Sequence, residues 1–203
     1  MVASLTVIVD LALAIFAGYS LSRYRYPGRK TIMTLTLSAQ VFPTVVIIIS
    51  LYSLFSKLKL MNSYQGLMLA DVAMSLPLSV WMMKSFFDTI PVSLDEAAKI
   101  DGCGRFQTLV DVILPMMKPG IYAVGIYSFL MAWDDFVFSK VLINVNDKKT
   151  LTVGIAESFL GEFSHNYAGM MALAVVAALP IVIIFIVFQK FLISGMTAGA
   201  VKE

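Results

Sequence analysis

Two stretches of this chain, residues 31–56 and 166–189, run without a single charged side chain. A helix needs about 20 mostly apolar residues to cross the hydrocarbon core of a bilayer. Both stretches are long enough, and a helix so long and so evenly apolar is rare inside a water-soluble core. Composition agrees, with 59% hydrophobic and 14% charged residues among 203, and a mean hydropathy of +0.86. Soluble domains average roughly 45–50% and 25%. The expected fold class is therefore all-α, a multipass transmembrane helical bundle. A buried soluble bundle is the rival set aside.

Read in order, the apolar runs predict five spans, at residues 1–21, 31–55, 66–87, 119–138 and 167–192, within one domain covering 1–203. The first span ends in Ser22-Arg23. It lacks the basic leader and separate cleavage region of a signal peptide, so it reads as a retained span. Residues 23–30 then carry Arg23, Arg25, Arg29 and Lys30 and no acid, around a Pro27-Gly28 turn. Short loops rich in Lys and Arg stay in the cytoplasm, which orients this hairpin. Alternation places residues 88–118 and the tail from 193 on the same side. The loop 142–166 falls outside, with a short interfacial helix expected within 150–160. Ten of the fifteen Lys and Arg residues are then internal. Pro43 and Pro77 lie within the second and third spans, where proline removes a backbone donor and kinks the helix.

The polar stretch between the third and fourth spans has a design of its own. Ser93 followed by Glu96 has the spacing of a capping box, which predicts a helix from about Leu94. Gly102 is placed to end that helix, because glycine tolerates the left-handed exit. Beyond the turn, Phe106, Leu109, Val110 and Ile113 recur with amphipathic helical spacing, and Pro115 is expected to stop the second limb. The product is a helix–turn–helix elbow. The Ala97-Ala98 pair on its first limb would let a partner approach the backbone.

Other chemistries are excluded in turn. A net charge of +2 gives no footing for nucleic-acid binding. The lone Cys103 permits no internal disulfide framework. The lone His165 has no neighbouring ligand for zinc, and no metal site is expected. No Gly-x-x-x-x-Gly-Lys-Ser/Thr loop occurs, so any ATP must be bound elsewhere. Four acids fall within the spans: Asp10, Asp71, Asp134 and Asp135. Such residues usually face a bundle interior or a watery cavity. Trp133 with Asp134 and Asp135 supplies the aromatic face and hydroxyl-accepting carboxylates that a sugar pathway needs. Gln40 and Asp71 are further candidates, and acids that merely set helix depth are the alternative.

Glu96-Ala97-Ala98, then Asp101-Gly102, then Ile113-Leu114-Pro115 resembles the EAA loop of ABC-importer permease subunits. The segments Tyr24–Lys30, Trp133–Phe136 and Thr197–Lys202 are similar to the carbohydrate-uptake branch, of the maltose-permease second-subunit type. The likeness runs over essentially the whole chain. It implies the fold of a type I importer transmembrane domain, in the bacterial cytoplasmic membrane. It implies that Ser93, Asp95, Glu96, Ala97, Ala98, Asp101, Gly102 and Pro115 serve coupling to an ATPase subunit. It further implies that Thr197, Gly199 and Val201 of the tail reach the ATPase interface. The implied partners are two ATPase subunits that use ATP and magnesium, a second homologous permease, an extracytoplasmic solute-binding protein and a sugar. This chain would bind no cofactor and catalyse no bond chemistry. The family has six spans, and Met1 would fall within its second helix, so an amino-terminal truncation is expected. The alternative function is an ion-coupled secondary transporter using the intramembrane aspartates.

Overall fold

The computed structural model describes residues 1–159 and 166–200, with the backbone alone for 189–200. The chain runs through α1 (Val2–Arg23), α2 (Arg29–Ser38), a 3₁₀ turn (Ala39–Val41), α3 (Thr44–Lys57) and α4 (Tyr64–Thr89). It continues through α5 (Ser93–Ile100), α6 (Arg105–Gln107), a π-helical turn (Thr108–Ile113) and α7 (Leu114–Met116). The last elements are α8 (Lys118–Trp133), α9 (Val137–Leu142), a 3₁₀ turn (Asn146–Lys148), α10 (Leu151–Phe159) and α11 (Tyr167–Ala200). Among the described residues there is no strand, and the chain is an all-α membrane bundle.

Helices α1, α4 and α11 are each long and apolar enough to cross a membrane, and two bent pairs raise the number to five if each pair is one span. In the first pair the expected kink becomes a break between two helices. Arg29–Val41 and Thr44–Lys57 meet at 100°. Pro43 disfavours a helical residue before it, and Phe42 is accordingly extended at φ −70, ψ 133. No residue of α2 is buried, and α3 buries only Ile48 and Phe55. Pro77, in contrast, sits inside a continuous α4. The second pair, Arg105–Met116 with Lys118–Trp133, turns by 83° and joins the elbow to the fourth span.

The centre of the bundle is the packing of α1 on α4 and of α8 on both. Small residues let these helices approach closely, as membrane bundles require in place of a hydrophobic driving force. A Cβ built on Gly18 of α1 would lie 3.0 Å from the Lys84 backbone nitrogen of α4, and one on Gly120 of α8 would lie 2.7 Å from Cγ of Phe86. One apolar cluster gathers Tyr19, Met83, Phe87, Leu109, Ile113 and Met117 where these helices meet the elbow. A second, with Ile48, Phe55, Leu67, Phe138, Leu142 and Ile143, closes the opposite end. Helix α11 packs against α8, and the Trp133 indole N–H donates to the Ala177 carbonyl at 3.1 Å.

Two boundaries differ from expectation. The fourth span ends at Trp133 rather than near residue 138, because the Asp135 carboxylate accepts from the Phe138 and Ser139 N–H groups at 3.1 and 2.7 Å and starts α9 afresh. The fifth helix, expected over 167–192, continues through the small-residue tail as the backbone of α11 to Ala200. Three of the residues from 197 to 200 are Ala or Thr beside one Gly, and propagating a helix already formed is far easier than nucleating one. Thr197 and Gly199 therefore lie on helical backbone. Val201 and His165 lie outside the described residues.

Candidate functional site

The elbow is built from local signals, though not all those expected. Val92 already has helical angles (φ −64, ψ −24), and α5 starts at Ser93 with no side-chain cap. The Pro91 and Val92 carbonyls take the Leu94 and Glu96 N–H groups at 3.2 Å each. Ser93 thus falls inside the first turn, one residue too late to cap it, and the capping box does not form. The exit follows expectation. Gly102 is left-handed at φ +84, its N–H donates to Lys99 at 3.1 Å, and the Cys103 N–H reaches back to Ala98 at 2.9 Å. This paired closure is a Schellman motif.

The second limb rotates away from its expected stripe. Leu109 and Ile113 are buried, but Val110 is exposed and Phe106 is 66% exposed. The π-helical turn over Thr108–Ile113 widens the winding, so Leu109, Ile113 and Met117 stack at four-residue intervals instead. Pro115 does not stop the limb. It lies within the first turn of α7, where no helical N–H is needed. The bend comes at Met117 (φ −84, ψ 5).

On α5, Ser93, Glu96, Ala97, Lys99 and Ile100 face outward, as do Asp101 and Gly102 after it, while Asp95 and Ala98 are buried. Ile100 is 87% exposed, and Val92 and Phe106 are exposed beside it. An apolar rim of this kind on a charged helix has the form of a docking face. Asp95 and Ala98, also part of the motif, are buried and lie off that face.

Asp95 turns inward to α1. The Arg23 guanidinium forms an ion pair with it, Nε to Oδ2 at 2.9 Å, with both side chains 7% exposed. Arg23 Nη2 also donates to the Ile90 carbonyl at 2.9 Å, and the Tyr19 hydroxyl donates to Asp95 Oδ1 at 2.6 Å. The second limb is held by the same end of α1. Phe106 stacks on Phe16 with centroids 6.5 Å apart, and the Arg105 guanidinium lies 5.5 Å from the Tyr24 ring centroid. Sequence reasoning missed these α1 partners and counted Arg23 only as a loop charge. The available signal was Phe16, Tyr19 and Arg23 at i, i+3 and i+7, one face at the wet end of a span.

A second missed cluster lies mid-bundle. Asp10 is fully buried, with Oδ1 accepting from Ser75 at 2.9 Å and Oδ2 from Ser79 at 2.6 Å. It joins α1 to α4 by side-chain hydrogen bonds, the glue of membrane bundles.

The residues proposed for a substrate pathway are engaged separately. Gln40 donates to the Met74 carbonyl at 2.9 Å, beside the turn that Pro77 opens. The Trp133 ring stacks on Phe129 at 5.3 Å. Asp135 caps α9 and also accepts from the Ser139 hydroxyl at 2.7 Å; Asp134 is exposed. Asp71 is buried with Oδ2 unpartnered among the described residues, and Asp135 is the charge that acts on it. Of the set, these two acids are the ones brought near each other.

Lys140 of α9 and Lys149 of the loop after it both pair with Glu157 of α10. The two ammonium groups, through their hydrogen bonds, hold the Glu157 carboxyl below the usual range. A lowered value means that the pairs help the fold above the ordinary glutamate pKa and lose that help as pH falls through the lowered one. Glu157→Gln at neutral pH should therefore mimic acid. The expected readout is faster proteolytic cleavage between residues 143 and 150; cleavage at the wild-type rate would show that the pairs do not hold this loop.

The described residues thus form a membrane bundle of bent helices that carries an anchored helical elbow between two of its spans. A family model described as binding-protein-dependent transport system inner membrane component matches residues 11–198, and the chain belongs to that family. It is 36% identical over 203 residues to the trehalose/maltose transport system permease protein of Thermococcus litoralis, covering 99% of this chain and 72% of that one. It is 33% identical over 196 residues to the maltodextrin transport system permease protein of Bacillus subtilis, covering 96% and 70%. The fold is shared with a bacterial ABC transporter involved in the import of the acidic polysaccharide alginate, at a TM-score of 0.79 and 21% identity over 94% of this chain and 71% of that one. This is thus a permease subunit, a multipass membrane protein whose transport system leaves ATP hydrolysis to separate ATPase subunits. Systems of this family also include a partner permease and a solute-binding protein. The ion-coupled alternative is not favoured by these relatives.

Proposed function

We propose that this chain is one of two homologous permease subunits of an importer for sugars, either di- or oligosaccharides or a related solute such as glycerol phosphate. Its relatives' names support the substrate class. The elbow lies in the cytoplasm and seats in one of two ATPase subunits, which bind ATP and magnesium; this chain binds no cofactor. The carrying observation is the exposed rim of Val92, Ile100 and Phe106 around Ala97. Burying such side chains contributes about 1.5–3 kcal/mol each, enough together to seat a short helix. Glu96 and Asp101, exposed beside it, offer carboxylates to donors in the ATPase cleft. Asp95 and Ala98 serve the contact from beneath. The tail with Thr197, Gly199 and Val201 runs toward the ATPase interface, also on the cytoplasmic side. The loop 142–166 receives the solute-binding protein outside, and Asp71 with Asp135 is the part of the pathway set suited to accept from sugar hydroxyls.

The test is a cysteine at Ala97 in a Cys103→Ser background, crosslinked in membranes that contain the ATPase subunits. A covalent adduct with an ATPase subunit is expected. No adduct, with uptake intact, would overturn the docking assignment.

A further inference from the structure

The elbow is joined covalently to α4 and α8, yet neither junction is a stiff connection. Ile90 is extended (φ −86, ψ 126), and the chain bends by 83° at Met117. The directional ties run to α1, which has no covalent link to the elbow. Arg23 forks between Asp95 and the Ile90 carbonyl, Tyr19 holds the other Asp95 oxygen, and Phe16 and Tyr24 hold the second limb. Helix α1 is fastened in turn to α4, by the close approach at Gly18, by the Ser22 hydroxyl on Asp88 at 2.6 Å and by Asp10 on Ser75 and Ser79.

We infer that Arg23 is the positioning residue that transmits movement of the elbow into α1, and through α1 into the α4 and α8 core. The inference rests on the proposed docking of the elbow to an ATPase subunit. Asp95 points away from the docking face, so its carboxylate acts within the chain and not on the partner. Arginine serves here better than lysine, because one planar fork reaches the carboxylate and the carbonyl together, and a lysine ammonium is a single point of attachment.

The experiment compares wild type, Arg23→Gln, Arg23→Lys, Tyr19→Phe and the exchanged pair Arg23→Asp with Asp95→Arg, each in the assembled transporter in membranes. Uptake and ATP hydrolysis are measured on the same preparations. Removing one partner of a buried pair strands the other charge, so uptake in Arg23→Gln is expected to fall about tenfold or more. Hydrolysis should fall less, so that more ATP is spent per solute moved. Arg23→Lys and Tyr19→Phe should show smaller rises in that ratio, and the exchanged pair should recover part of the uptake. The Ala97 crosslink should persist in Arg23→Gln. Uptake and hydrolysis falling in parallel at a constant ratio, or both unchanged, would overturn the inference. Loss of the crosslink in an otherwise wild-type chain would instead overturn the docking on which it rests.

Discussion

Gly102→Pro is expected to reduce uptake to background while the subunit still reaches the membrane. Gly102 closes α5 at φ +84, whereas a proline ring holds φ near −65°. The substitution also removes the N–H that donates to Lys99 at 3.1 Å. It also crowds Asp101, whose φ −72, ψ 3 lies next to the helical region that a following proline disfavours. A misfit of this size costs about 3 kcal/mol or more, much of what a short helix has to lose, and α5 would no longer present Ala97 and Ile100 together. Gly102→Ala grades the effect. Nothing lies within 4 Å of a Cβ there, so the cost is only the left-handed backbone, about 1–2 kcal/mol, and partial uptake should remain. The measurement is solute uptake normalised to the amount of subunit in the membrane. Full activity in Gly102→Pro would show that the elbow need not be rigid.

Asp10→Leu is expected to loosen α1 from α4. It strands the Ser79 hydroxyl and leaves the Ser75 hydroxyl only the Val72 carbonyl at 3.4 Å, where both now donate to the carboxylate. Leaving buried groups unpaired costs about 1–3 kcal/mol in water-soluble proteins, and less is expected in a membrane bundle, where such bonds average about 0.6 kcal/mol. The purified assembly should melt at a lower temperature, with Asp10→Asn between leucine and wild type because its carbonyl still accepts. Uptake by Asp10→Asn should survive. Normal assembly with no uptake in that variant would mean that the charge itself is used in transport, and Asp10 would not be a fastening.

Much of the fold was legible because its signals are local. The uncharged lengths of residues 31–56 and 166–189 announce spans, and Gly102 announces the end of α5. Elsewhere one local rule overruled another. At Val92 early helical angles defeated the Ser93 cap, and at Asp135 a carboxylate cap ended the fourth span sooner than its hydropathy suggested. The candidate site was half legible. The motif marked where the elbow lies, but neither the inward turn of Asp95 nor the separate engagement of Gln40 and Trp133 has a local signature.

The sequence by itself determined the class of fold, the approximate position of the elbow and its glycine exit, since hydrophobic length and backbone preference act within a few residues. Only the tertiary structure decided which side of α5 is free to meet a partner. Tyr19 and Asp95 are 76 positions apart, and Asp10 and Ser75 are 65 apart. Pairings at such separations are settled when whole helices pack, because burial penalises any polar group that fails to find its partner.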